Sequence, residues 1–157
     1  MKPWEVHPAL VHFPIAFWIA AIVLELHAIR RPSRTTTRVA YGLLLAGVVG
    51  GVLAAAFGLV AFLTLPAHSS ETGSLMYAHL GLALGALVLF SVCAVTRWPR
   101  RAQPLPMRWT IVLGLGGMLV VAAGFIGGHI VYRGGAGVAP DVLAPHIVEE
   151  HAHGHRH

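Results

Sequence analysis

Charge is scarce in this 157-residue chain: 11% of residues are charged, and of six carboxylates only Glu25 falls within a long apolar run. So few ionised side chains cannot clothe a water-soluble surface of ordinary composition. Cysteine is limited to Cys93, which excludes an intrachain disulfide framework. A lone thiol inside an apolar segment reads as packing. The sequence also lacks a phosphate-binding glycine loop, a serine or cysteine beside an activating base, and a carboxylate pair within its apolar runs. Those gaps count against the common hydrolytic and phosphoryl-transfer chemistries, and favour an electron-transfer or accessory subunit over a stand-alone enzyme.

What is present is apolar length. Hydrophobic residues make up 56% of the chain and mean hydropathy is +0.71. Four runs, 11–29, 39–65, 75–96 and 109–132, each approach or exceed the roughly 20 residues that a helix needs to cross ~30 Å of hydrocarbon. The fold class is therefore an all-α integral membrane protein, and short connections predict an up-down-up-down four-helix bundle. Residues 1–138 form the membrane domain and 139–157 a histidine-rich tail. The first run has no convincing cleavage site and is followed by four arginines, so it is expected to stay and span. Three glycine pairs, Gly47/Gly51, Gly81/Gly85 and Gly124/Gly128, have the small-x-x-x-small spacing that lets helices approach closely. No internal repeat is evident.

Orientation follows from arginine. Arg30, Arg31, Arg34 and Arg38 lie between the first and second runs, and Arg97, Arg100, Arg101 and Arg108 between the third and fourth. The positive-inside rule assigns both loops to the cytoplasm and both termini to the outer side of the membrane. The pI of 10.4 is then a mark of topology, and no nucleic-acid surface is expected.

Histidines recur at the outer ends of the runs. His12 lies near the start of the first, His79 about 6 Å into the third, and His129 about 5 Å from the end of the fourth, at 1.5 Å per residue. A polar, ionisable side chain at that depth is costly unless it is paired, hydrated or bound to something. Neutral imidazole is also the usual protein ligand of metals and haem iron. Each histidine taken singly equally fits a helix cap or interfacial water. His7 lies at the water boundary, as a ligand or a cap. Pro8 suits a first helical turn, and Pro14 withdraws the donor for the Leu10 carbonyl, so the start of this helix is expected to bend beside His12. At the other end, Glu25 and His27 read as a boundary pair beside Arg30 and Arg31.

The stretch from His7-Pro8-Ala9-Leu10-Val11-His12-Phe13-Pro14 to Ala16, the pair Ala78-His79, and the ending Gly127-Gly128-His129-Ile130-Val131-Tyr132-Arg133-Gly134-Gly135 onward to Val138 resemble the bacterial membrane-protein family catalogued as domain of unknown function 2231. The resemblance runs from about Val6 to Val138. It implies four helices and no settled activity, with a hint of electron transfer from the Rieske and cytochrome c modules that accompany some members. His7, His12 and His79 carry over. Gly134 stands where the family tends to place a histidine, and Ala61 where it often has an acidic residue.

Three functions follow as expectations. The first is a membrane electron-transfer subunit holding a haem b, or a similar redox centre, in the outer half of the bundle, with His12 and His79 as the axial pair. There His129 would be an alternative ligand, a propionate partner or a quinone hydrogen-bond donor, and electrons would pass between membrane quinol and an extracytoplasmic redox protein. The second is metal handling, in which His151, His153, His155 and His157 of the tail gather Zn, Cu or Ni. The third is a cofactor-free anchor or accessory subunit of a larger membrane complex.

Overall fold

The computed structural model describes residues 3–64 and 70–136, which form four long helices and no strand. These are α1 (Pro3–Arg30), α2 (Arg34–Thr64), α3 (Ser70–Arg97) and α4 (Met107–Tyr132), with one 3-10 turn, Trp98–Arg100, after α3. All four are long and apolar enough to cross a membrane. Each begins before the apolar run that predicts it, because polar residues at the water boundary continue the helix without cost to lipid.

Local chemistry sets the ends. Pro32 precedes α2, and the Ser33 hydroxyl accepts a hydrogen bond from the Thr36 N–H at 3.3 Å, a serine N-cap. α4 closes on Gly135, at φ 61°, with Gly135 N–H donating to Val131 O and Ala136 N–H to Ile130 O. The bond from Gly135 to Val131 is that of an αL ending, which takes glycine because its left-handed residue tolerates no Cβ cheaply. α1 runs without interruption through Pro8 and Pro14, so Pro8 lies inside the helix and not in its first turn.

The helices pack in cyclic order, α1 against α2 and α4, and α3 against α4 and α2. Their outer faces are apolar: Leu63 is 72% exposed, Val95 74% and Phe125 77%. Such a surface is compatible with lipid as solvent, and with every backbone polar group satisfied within a helix. Lipid tails are as apolar as leucine, so close packing and polar contacts must hold the helices together. Gly47 and Gly51 supply the first of these, since a Cβ on Gly47 would overlap the Trp18 indole and one on Gly51 would lie 2.7 Å from Trp18 Cη2. Gly81 and Gly124 have open space beside them, so their pairs do not serve as expected.

The centre is built from residues that meet their own counterparts. Trp18 of α1 stacks on Phe90 of α3, with ring centroids 4.3 Å apart and planes at 12°. Gly47 of α2 makes room for Trp18, and Gly116 of α4 makes room for Phe90, where a Cβ would lie 3.1 Å from the ring. Leu44 and Leu113 are both buried beside them. His7/His79, Trp18/Phe90 and Glu25/Arg97 of α1 and α3 meet at a constant offset of 72, and Leu44/Leu113, Gly47/Gly116, Ala54/Ala123 and Gly58/Gly127 of α2 and α4 correspond at 69. The two helical hairpins are thus parallel repeats about a pseudo-two-fold axis, and residues that touch their own equivalents lie on that axis. This corrects the expectation of no repeat. Aromatic exchange at position 18/90 and charge divergence further along conceal it in the sequence.

Candidate functional site: a histidine pair on the axis

Helical periodicity carries three α1 residues to the axis. Eleven residues make three turns and seven make two, so His7, Trp18 and Glu25 lie on one stripe, and His79, Phe90 and Arg97 form the matching stripe of α3. At one end His7 and His79 face each other, with ring centroids 6.3 Å apart and planes at 87°. Both are partly buried.

Each imidazole is held the same way. His7 Nδ1 lies 2.8 Å from the Ala54 carbonyl of α2, and His79 Nδ1 lies 2.8 Å from the Ala123 carbonyl of α4. A carbonyl only accepts, so both Nδ1 atoms carry the proton and both Nε2 atoms keep a lone pair in the neutral rings. One turn further along, Gly58 and Gly127 flank the same rings. A Cβ there would come within 2.8 Å of His7 Cε1 and 3.1 Å of His79 Cε1. The repeat therefore delivers two oriented imidazoles with matched tautomers. An Nδ1–H donated to a backbone carbonyl is the usual support of a histidine that ligates through Nε2.

The opposite end of the stripe lies roughly 27 Å away, at 1.5 Å per residue. Glu25 and Arg97 form a buried ion pair there. Glu25 also accepts from the Leu105 N–H at 3.3 Å, and Arg97 Nη2 donates to Thr37 O at 3.0 Å and Gln103 O at 3.4 Å. Glu25 is turned inward to α3 and His27 is exposed, which corrects the reading of those two as a boundary pair. The reason is angular: Glu25 shares the inward stripe of Trp18, whereas His27 is rotated about 200° from Glu25.

The structure brings together His7 and His79, and it does not bring His12 to them. His12 is exposed on α1, about 140° around the helix from His7. His129 is half-buried on α4, and about 200° around that helix from Gly127, the residue against His79. The histidines His151, His153, His155 and His157 lie outside the described residues. Among the described residues no three histidine, cysteine or carboxylate side chains gather as a metal cluster. The signal for the pair that meets was in the sequence as two spacings: His-x10-Trp-x6-Glu against His-x10-Phe-x6-Arg, and Ala54-x3-Gly58 against Ala123-x3-Gly127.

Residues 3–140 match the model of a family described as predicted membrane protein, DUF2231. The chain belongs to that family. The match spans both hairpins and ends beyond the glycine cap of α4, so the repeat and its histidine pair lie wholly within the DUF2231 region. As a DUF2231 member with four candidate spans, the protein meets the lipid bilayer through its apolar outer faces. No curated protein and no solved structure matches it.

Proposed function

We propose that this DUF2231 protein is an electron-transfer subunit of the bacterial cytoplasmic membrane, in which His7 and His79 would hold a haem b. The observation that carries this reading is the pair itself: two imidazoles, 6.3 Å between centroids, each anchored through Nδ1 to a backbone carbonyl. A metal held by both rings would be bound through the two Nε2 lone pairs, since both Nδ1 atoms are engaged by carbonyls. Two protein donors suit haem iron, because the porphyrin supplies the other four nitrogens, whereas a protein-only zinc site needs three or four.

In this reading the bundle runs up-down-up-down with both termini outside, the arginine loops in the cytoplasm and the histidine pair in the outer half. Bound there, a haem supplies a one-electron relay between membrane quinol and an extracytoplasmic redox protein. The chain does the rest. Ala54 and Ala123 carbonyls fix the tautomer and raise the donor strength of Nε2. Gly58 and Gly127 let each ring lie against the neighbouring helix. Trp18/Phe90 and Glu25/Arg97 keep the hairpins in register, and with them the spacing of the two rings.

The test is a visible spectrum of protein purified in mild detergent from haem-replete cells, oxidised and then reduced, with a pyridine haemochrome assay. The wild type is expected to show a b-type reduced-minus-oxidised spectrum that His7→Ala and His79→Ala each abolish and His12→Ala leaves intact. A colourless wild-type protein overturns the proposal. Elemental analysis would then separate a metal site from a cofactor-free subunit.

A further inference from the structure

The arginine end holds a second candidate site, unrelated to the histidines. Between the end of α3 and the start of α4 lies an open cleft of ≈ 390 Å³, lined among others by Arg97, Arg100, Gln103, Pro106, Arg108 and Trp109. A smaller cleft of ≈ 240 Å³ adjoins it across Arg100 and Gln103 and adds Arg38 and Arg101. Five arginines thus line the two clefts. From Thr72 to Pro140 the sequence contains no carboxylate, and Glu25, the one acid packed at this end, is spent on Arg97.

One further feature of the cleft favours an anion. α4 begins at this cleft with Pro106 as its N-cap, with no capping side chain and no acidic residue in its first turn. The Trp109 and Thr110 N–H groups donate to Pro106 O at 2.9 and 3.2 Å, which leaves those of Met107 and Arg108, together with the positive end of the helix dipole, at the helix start. Arginine forks match phosphate oxygens in pairs, and Trp109 beside them is the residue type that settles at headgroup level.

We infer that the cleft between α3 and α4 is a binding site for the phosphate headgroup of an anionic phospholipid. The lipid source is favoured over a soluble phosphate because the cleft lies at the end of two candidate spans, where acyl chains run down the exposed apolar faces of α3 and α4. Bound lipid would bridge the hairpin connection to the first turn of α4 and neutralise the excess arginine charge.

The experiment is native mass spectrometry of the full chain, delipidated in detergent and titrated with phosphatidylglycerol, phosphatidylcholine or inorganic phosphate. The wild type is expected to retain phosphatidylglycerol in preference to phosphatidylcholine. With roughly fivefold in affinity for each cationic contact, Arg100→Gln with Arg108→Gln is expected to weaken retention about 25-fold. Arg30→Gln with Arg31→Gln removes the same charge outside the cleft and is expected to change it less than about twofold. Equal loss in both double variants overturns the site in favour of diffuse surface charge. Wild-type indifference between the two lipids also overturns it, and needs no variant to fold. Inorganic phosphate that displaces the lipid, with the same dependence on Arg100 and Arg108, replaces the lipid with a soluble phosphate ligand.

Discussion

The two ends of the axis solve one problem in opposite ways. At each end a residue of the first hairpin meets its equivalent in the second. At one end both are histidine, half-buried and fixed by matching carbonyl bonds. At the other the equivalents have diverged to Glu25 and Arg97, and they satisfy each other. Opposite charges on an axis are complete as a pair, since each supplies what its partner lacks. Two neutral imidazoles with the same tautomer both offer Nε2 as an acceptor, and two acceptors cannot bond each other. The identical pair therefore leaves both Nε2 lone pairs open, whereas the carboxylate and guanidinium of the complementary pair bond each other.

Breaking the complementary end should have the largest effect. Glu25→Ala or Arg97→Ala leaves a buried charge without its partner and is expected to cost about 3–5 kcal/mol, read as a large fall in thermal midpoint in detergent. The double exchange Glu25→Arg with Arg97→Glu should regain part of that loss. It restores the pair across the axis and forfeits the bonds from Leu105 and to Thr37 and Gln103.

Crowding the identical end comes next. Gly127→Leu or Gly58→Leu drives a side chain into an imidazole, with an expected cost of about 1–3 kcal/mol. The two variants should behave alike, because the surroundings of the rings are alike. In the haem reading, each also displaces a ligand and removes the b-type spectrum that the stability loss alone would spare.

The centre gives a smaller effect that makes the comparison sharper. Trp18→Phe renders the stacked pair identical and removes an indole N–H that is buried without an acceptor. The loss of aromatic area is offset by relief of the unsatisfied donor, so the net change in stability should stay below about 1 kcal/mol. His12→Ala is expected to be the smallest, within about 0.5 kcal/mol, because the residue is exposed and away from the axis stripe.

How much of this was legible beforehand differs residue by residue. Apolar length alone located the four helices, since nothing but lipid or a very large core tolerates such runs. The family was readable from the His7–Ala16 stretch and the glycine-rich ending. His7 and His79 were recognised as candidates, but His79 was matched with His12, because depth along a helix is read from the sequence more directly than rotation about it. Rotation was available from the spacings of eleven and seven shared by α1 and α3. It was masked where Trp18 faces Phe90 and Glu25 faces Arg97, and by the three-residue difference in length between the hairpins. Glycine misled in a related way: Gly81 and Gly124 have the spacing of contact residues but no neighbour, while Gly58 and Gly127, four residues after small alanines, touch the rings. A pattern of small residues says that a backbone can be approached, and only the opposing side chain says whether it is.

The ion pair also settles which hairpin may sit beside which. Two first hairpins placed about the same axis would bring Glu25 against Glu25, and two second hairpins Arg97 against Arg97, buried in both cases. Like charges brought together cost several kcal/mol, so each half rejects a copy of itself and accepts the other. A repeat whose halves share so much packing is always open to pairing with the wrong half of a neighbouring molecule. Glu25 and Arg97 act as a password between the halves, one that a newly inserted hairpin cannot give to its own twin.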